Sequence, residues 1–129
     1  MTISRKLLTT GLALAGFLAS AQAIIAAPAY FIGQIEITDQ EKYMATYGQA
    51  VIPQLMQQGV KILVASPVAS TYEGEWQGNF TVVLEFESME KATGFFNSEA
   101  YLKVRPLRHA NSTLNNLVFA PGFEVPKAN

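Results

Sequence analysis

The polar or amphipathic side chains that are the main candidates for binding a ligand or moving a proton are few, and all of them lie in the second half of the chain. They are Glu73, Trp76, Glu85, Tyr101, Arg105, Arg108 and His109. The chain has 129 residues, no cysteine and one histidine, which excludes thiol nucleophiles, disulfides, Cys-ligated zinc and a multi-histidine metal site within one chain. Any chemistry must therefore use carboxylates, arginines, tyrosines and one imidazole, and we expect no metal site and no cofactor.

Arg105 and Arg108 are spaced for joint recognition of one anion. Residues three apart share a face of a helix, so the two guanidinium groups could clamp one carboxylate. The alternative is that they form ion pairs with Glu73, Glu85 or Glu87 and fix the helix on the sheet. Structural ion pairs of this kind are the commoner arrangement.

His109 and Glu85 are the candidates for a proton carrier. A histidine with an ordinary pKa near 6.5 can act as a general base, although a histidine near a helix C-terminus more often caps the helix. Glu85 and Glu87 alternate along one strand and point to the same face. Such a pair can do acid–base work when one pKa is raised, but more often it marks an exposed or dimer-facing surface. The single aspartate, Asp39, begins a helix, so a Ser-His-Asp triad is poorly supported.

The only tryptophan, Trp76, lies in a turn-rich loop that also contains Glu73 and two glycines. Its indole could stack on an apolar ligand or cover the end of the domain at a dimer interface. We favour the interface, where aromatic residues are enriched.

Strands and helices alternate in the part of the chain that must position these residues. Alternating or continuous apolar runs predict strands at 30–37, 60–65, 80–86 and 115–119. A capping box that begins at Thr38 predicts the first helix, with Tyr43, Tyr47, Val51 and Leu55 on its buried stripe. We expect Pro53 to kink this helix or split off its last turn, and Gly59 to end it. Ser88 and the pair Asn97-Ser98 should start two further helical segments, the second of which ends near His109.

The order β-α-β-β-α-β, with a split second helix, predicts an α+β fold of the ferredoxin-like type. Its four-stranded antiparallel sheet carries the helices on one face and leaves the other face open. In a domain of this size a second copy of the chain usually covers such a face. The sequence therefore predicts a homodimer that pairs through the open sheet face.

Residues 1–23 have the three parts of a secretory signal peptide. Arg5 and Lys6 precede an uncharged apolar run, and Ala21-Gln22-Ala23 is a small-x-small cleavage pattern. Cleavage after Ala23 removes 23 of 129 residues and leaves 106, and losing two basic residues changes the formal charge from −1 to −3. We expect export to a bacterial periplasm, with no stable membrane insertion after cleavage; the alternative is an N-terminal membrane anchor. The near-zero charge removes the electrostatic basis for binding nucleic acid.

The chain from 28 to 123 resembles the DUF1330 family, and residues 124–129 form a C-terminal tail. The resemblance is carried by Tyr30-Phe31, Asp39-x3-Tyr43-x3-Tyr47, Glu73-Gly74-x-Trp76, Val82-Val83-Leu84-Glu85-Phe86, Phe96-x-Ser98-x2-Tyr101 and Arg105-x2-Arg108. It implies a dimeric α+β barrel related to small monooxygenases and muconolactone-isomerase-like proteins, with no particular reaction. One departure is Ala65-Ser66-Pro67, where family members often carry an Arg-Gly-Gly-like turn.

Three hypotheses about function follow. The first is an exported homodimer that binds a small organic molecule in the cleft between sheet and helices, with ligand contacts from Arg105, Arg108, Trp76, Glu73 and Tyr47. The second is a cofactor-independent monooxygenase- or isomerase-like enzyme with His109 or Glu85 as proton carrier. The third is a purely structural dimerisation module without a ligand site.

Overall fold

The computed structural model describes residues 27–128. The predicted signal peptide, residues 1–23, lies outside the described residues. Within this part of the chain, no helix is long and apolar enough to cross a membrane. The elements in chain order are strand β1 (Ala29–Ile37), helix α1 (Gln40–Tyr43), a π-helical stretch (Met44–Gly48), helix α2 (Gln49–Gln57), strands β2 (Lys61–Pro67) and β3 (Phe80–Phe86), helices α3 (Met89–Phe96) and α4 (Glu99–Ala110), and strand β4 (Ser112–Pro121).

The four strands form one antiparallel sheet in the order β2-β3-β1-β4. Strand β1 is central and pairs with β3 on one side and β4 on the other. This is the strand order of the ferredoxin-like β-α-β-β-α-β arrangement. The predicted fold class, an α+β fold with a four-stranded antiparallel sheet, is confirmed. Strand β4 is longer than the predicted 115–119, because it pairs with β1 from Ser112 opposite Ile37 to Pro121 opposite Ala29.

Alternation along β1 separates the two faces of the sheet. Every second residue from Ala29 to Ile37 is buried, and the residues between them are half-buried. The buried set packs with apolar side chains of β3 and of the helices into one core. Aromatic rings are prominent in it: Phe31 stacks on Phe96 with ring centroids 4.3 Å apart, and Phe96 meets Tyr101 edge-on at 4.7 Å. The helices thus cover one face of the sheet, and the other face carries the half-buried residues.

The helix starts agree with the sequence except at the first one. Ser88 and Ser98 cap α3 and α4, as predicted, and each hydroxyl accepts from the amide three residues on. At α1 the cap is Asp39, whose carboxylate accepts from the Lys42 amide, so the predicted capping box at Thr38 is wrong by one residue. Asp39 carries a charged acceptor for the orphan helical amides, which also complements the positive end of the helix.

The first helical segment consists of α1, the π-helical stretch and α2. Its irregularity lies before Pro53 and not at Pro53 itself. Pro53 lies inside α2, and the π-helical stretch ends at Gly48, a full turn earlier. A proline lacks the amide proton and crowds the carbonyl four residues before it, and here that residue is Gln49, the first of α2. The segment ends as predicted: Gly59 has φ +70°, a left-handed conformation that suits glycine.

Candidate functional site

A cavity of about 100 Å³ lies between the helices and the sheet. Its walls are almost entirely apolar and come from the first helical segment, from all four strands and from one residue each of α3 and α4. Three lining residues are exposed: Met44 and Ile52 on the helical segment and Ala65 on β2. These three mark the mouth of the cavity, which reaches solvent between the helical segment and the edge strand β2.

Among the described residues, Tyr43, Tyr47 and Arg108 are the lining residues with polar side chains, although almost all of the cavity surface is apolar. The π-helical stretch supplies Tyr47, whose hydroxyl lies 3.1 Å from that of Tyr101 on α4. Burial, the main cause, raises the pKa of both Tyr43 and Tyr47 far above 10, and the positive charge of Arg108 only partly offsets it. The hydroxyls are therefore neutral at physiological pH and can act as hydrogen-bond donors.

Among the described residues, Arg108 is the one charged residue in the cavity wall, and it is only 4% exposed. Its Nη1 donates to Asn115 Oδ1 on β4 at 2.5 Å, while its Nε is buried without a hydrogen-bond partner among residues 27–128. The ion pairs among residues 27–128 are Lys61–Glu85, Lys91–Glu87 and Lys103–Glu99, and none involves Arg108. Within this part of the chain, the buried guanidinium has no carboxylate to balance its charge.

The interactions at the end of α4 fix the position of Arg108, but they do not fully offset the cost of burying its charge. Arg108 occupies the last turn of α4, and its carbonyl accepts from Ser112 Oγ at 2.6 Å. A cation near a helix C-terminus gains roughly 0.3–1 kcal/mol from the helix dipole. Burying an ion costs several kcal/mol even after relaxation. The dipole and one amide partner therefore offset only part of the desolvation cost of Arg108.

A family model described as a domain of unknown function, DUF1330, matches residues 28–123. The chain belongs to the DUF1330 family. No curated protein matches its sequence. The resemblance expected from the sequence is thus confirmed, and it extends over the strands and helices that enclose the cavity.

Solved structures share the fold of this DUF1330 domain at low sequence identity. A protein of unknown function from Rhodopseudomonas palustris is 13% identical, with a TM-score of 0.63 over 77% of this chain and 85% of that one. A dimeric ferredoxin-like protein of unknown function from Bacteroides fragilis is 13% identical, with a TM-score of 0.51 over 74% and 96%. SnoaB, a cofactor-independent oxygenase from Streptomyces nogalater, is 7% identical, with a TM-score of 0.58 over 78% and 97%. At these identities the likeness establishes the ferredoxin-like fold alone.

The DUF1330 domain brings together two of the five residues predicted to bind a ligand, Arg108 and Tyr47, at the cavity. Arg105 is exposed and outside the cavity wall, so the two arginines do not form the predicted joint clamp in this structure. Glu73 and Trp76 line a separate, open groove of about 550 Å³ between β2 and the loop that follows it. The glutamates considered as partners of the arginines pair with lysines: Glu85 with Lys61, and Glu87 with Lys91.

The two proton-carrier candidates both lie outside the cavity wall. His109 is exposed, and its pKa is lowered by partial desolvation and by the charges of Arg108 and Arg105. Glu85 points to the opposite face of the sheet, where the Tyr30 hydroxyl donates to Oε2 at 2.9 Å. That bond and Lys61 lower the pKa of the Glu85 carboxyl, which keeps it ionised. Among the described residues, no group of three His, Asp or Glu side chains could hold a metal ion.

Sequence reasoning missed the polar partners that complete the site. Tyr43 was assigned to the core stripe, and its four-residue spacing from Tyr47 was the available signal for a second hydroxyl at the same wall. Asn115 carried no signal, because its contact with Arg108 depends on where β4 returns along β1. The Tyr30–Glu85 pair was equally hidden, since it joins two strands at a register that a single sequence does not specify.

Proposed function

We propose that this DUF1330 domain binds a small organic molecule in the cavity between its helices and its sheet, as a homodimer. The observation that carries the proposal is an apolar cavity with a mouth to solvent and a buried, unbalanced arginine in its wall. Ligand sites typically combine apolar walls with a few placed polar groups. Arg108 and Tyr47 are the residues of this wall that carry such groups.

The size of the cavity limits the ligand. Sites for drug-sized molecules measure ~300–1,000 Å³, whereas an apolar cavity of ~150 Å³ holds benzene. A cavity of about 100 Å³ therefore suits an apolar group no larger than a benzene ring. The exposed side chains of Met44 and Ile52 at the mouth give such a ligand some room to extend toward solvent.

An apolar row on the open face of the sheet supports the homodimer. The register places Val64, Val83, Ile32 and Val118 side by side, one from each strand. Val118 is 55% exposed and Val64 is 37% exposed in the single chain. A continuous apolar row across four strands favours burial against a second sheet. The dimeric ferredoxin-like protein from Bacteroides fragilis has the same fold, which also favours this assembly.

The enzymatic alternative, a cofactor-independent monooxygenase- or isomerase-like protein, has less support. It draws on the fold that the chain shares with SnoaB. It also needs a proton acceptor at the ligand, and His109 and Glu85 lie outside the cavity wall. The tyrosines in that wall have raised pKa values, so they are donors at neutral pH. The alternative of a purely structural dimerisation module does not explain the cavity or the buried charge of Arg108.

We also propose that the protein is exported with residues 1–23 removed. The charged start, the apolar run and the Ala21-Gln22-Ala23 pattern support this. The intact mass of the protein from the periplasmic fraction of a bacterial host tests it. We expect a chain that begins at Ile24, and a full-length chain retained in the membrane fraction would contradict it.

A cavity-blocking variant tests ligand binding. Gly48 lies in the cavity wall with helical backbone angles, and a Cβ added there would stand 3.2 Å from the Met44 Cε. Gly48→Leu should therefore fill the mouth. The matched control is Gly94→Leu, because a Cβ at Gly94 on α3 would meet nothing within 4 Å.

The readout is the NMR spectrum of the methyl groups of Val51, Leu55 and Ile62, which line the cavity, during titration with benzoate and with benzamide. We expect saturable shifts in the wild-type protein and in Gly94→Leu, and no saturation in Gly48→Leu. Ala65→Phe, on the other side of the mouth, provides a second blocked variant if Gly48→Leu does not fold. The absence of saturable shifts with either compound in the wild-type protein would contradict the proposed function.

A further inference from the structure

We propose that the ligand buries an uncharged hydrocarbon group no larger than a benzene ring in this cavity and keeps any charged group in solvent at the mouth. The inference rests on the proposed function and specifies the chemical class of the ligand and its orientation. It is carried by three observations: the apolar surface of the cavity, its small volume and the position of its mouth.

The surface of the cavity is the first step of the argument. Almost all of it is apolar, although three lining residues, Tyr43, Tyr47 and Arg108, have polar side chains. The Tyr47 hydroxyl pairs with that of Tyr101, and the Arg108 side chain donates to Asn115 on β4. The polar atoms of these side chains therefore contribute almost nothing to the surface that a ligand meets.

A charged group placed against this surface would lose its water without gaining a partner. Burial of an ionised group without hydrogen bonds is strongly unfavourable, whereas burial of hydrocarbon is favourable in proportion to the apolar area removed from water. Apolar cavities lined by Leu, Ile and Phe side chains bind benzene in this way. The wall here has the same kinds of side chain, with Phe31, Phe80, Leu55 and Ile62 among them. The cavity therefore favours hydrocarbon over a charged group.

The volume of the cavity is the second step. At about 100 Å³, the cavity is filled by a group no larger than a benzene ring. Sites that enclose a whole drug-sized molecule measure about 300–1,000 Å³. A ligand with more atoms than the buried group must therefore extend beyond the cavity.

The position of the mouth is the third step. Met44, Ile52 and Ala65 are exposed lining residues, so the part of a ligand that extends beyond the cavity meets solvent there. None of these three side chains carries a charge. A charged end at the mouth therefore keeps its water while the apolar end is buried, and this orientation avoids the desolvation cost that the opposite orientation would incur.

The test compares three compounds that share a phenyl ring: benzene, benzoate and 3-phenylpropionate. NMR titrations of the protein at pH 7, followed on the methyl signals of Val51, Leu55 and Ile62, give the dissociation constant of each. The carboxylate of benzoate is attached directly to the ring and gives up part of its water at the mouth, whereas two methylene groups carry that of 3-phenylpropionate into solvent. We expect benzoate to bind about tenfold more weakly than either of the other compounds.

A charge introduced at the mouth tests the orientation. Ile52→Lys and Ile52→Glu remove the same apolar contact and differ in charge, so the comparison between them isolates the charge. We expect Ile52→Lys to bind 3-phenylpropionate about threefold to tenfold more tightly than Ile52→Glu, and the two variants to bind benzene within about twofold of each other.

A matched pair of variants away from the cavity provides the control. Leu102→Lys and Leu102→Glu change charge at an exposed site on α4 outside the cavity wall, and they should bind 3-phenylpropionate equally. Ala65→Lys and Ala65→Glu repeat the comparison from the β2 side of the mouth if the Ile52 variants do not fold.

Each result decides a different claim. Benzoate that binds as tightly as benzene, or more tightly, would overturn the inference while supporting the proposed function. Equal binding of 3-phenylpropionate by Ile52→Lys and Ile52→Glu would overturn the placement of the charged end at this mouth. Failure of all three compounds to bind the wild-type protein would overturn both the inference and the proposed function.

Discussion

The hydroxyl groups of Tyr47 and Tyr101 lie 3.1 Å apart across the core, 54 residues apart in the sequence. Tyr47 belongs to the π-helical stretch and Tyr101 to α4, and both are buried. Their hydrogen bond joins the two helical segments that frame the cavity. Because π-helical turns often occur at functional sites, the position of Tyr47 in one agrees with a role at the proposed ligand site.

Removal of either hydroxyl should reveal this hydrogen bond in the free energy of unfolding. We expect Tyr47→Phe and Tyr101→Phe each to destabilise the protein by about 1 kcal/mol, because each leaves the other hydroxyl buried without its partner. The double variant should cost little more than one single variant, since it leaves no orphan group. Urea unfolding of the four proteins provides the measurement, and additive losses would contradict the pairing.

Replacement of the buried arginine should increase stability. Arg108→Met removes an unbalanced buried charge and keeps most of the side-chain volume, and Asn115 Oδ1 still has Ser112 Oγ within 3.3 Å. Replacing buried charged groups with apolar ones is often neutral or stabilising, so we expect a gain of about 1 kcal/mol in urea unfolding without ligand. Lys103→Met, at an exposed site, should change stability by less than about 0.5 kcal/mol. A loss of more than about 1 kcal/mol in Arg108→Met would indicate a structural role for the arginine.

A charge in the apolar row of the sheet should disrupt the dimer. Val118→Lys places an ammonium group beside Ile32 on the face proposed to meet the second sheet. A lysine buried at the centre of an interface is strongly unfavourable, so we expect a shift from dimer to monomer in sedimentation velocity. Met56→Lys, on the exposed surface of α2, is the control and should stay dimeric. A wild-type protein that sediments as a monomer would contradict the assembly.

The carboxyl of Glu85 should titrate below its ordinary pKa of 4.5, because Tyr30 and Lys61 favour its ionised form. Since the pKa is lowered in the folded protein, this contribution to stability is complete above pH 4.5 and is lost as the pH falls through the folded value. An NMR titration of the Glu85 carboxyl carbon measures the shift directly. In Tyr30→Phe, which removes the main cause, the pKa should rise toward 4.5; an unchanged value would assign the shift to Lys61.

The sheet and most helix ends were predictable from the sequence because they depend on local patterns. Alternation at 30–37 predicted the buried face of β1, and Ser88, Ser98 and Gly59 marked helix ends through their own backbone interactions. The error at Thr38 arose because Thr38 and Asp39 are both good caps. A single sequence gives no measure of which of two adjacent caps the chain uses.

The site was less predictable because it depends on packing between distant segments. Helical spacing placed Arg105 and Arg108 on one face, but it did not predict that one is exposed and the other buried. That difference is set by where α4 meets β4 and the π-helical stretch, a long-range contact. The cavity itself is a gap between elements, so no local pattern encodes it.

A crystal structure of the protein with benzoate, at a concentration well above its measured dissociation constant, tests the central claim most directly. The account predicts the ring inside the cavity, against the side chains of Tyr47 and Leu55. Benzoate bound elsewhere, or a cavity that stays empty at that concentration, would contradict it.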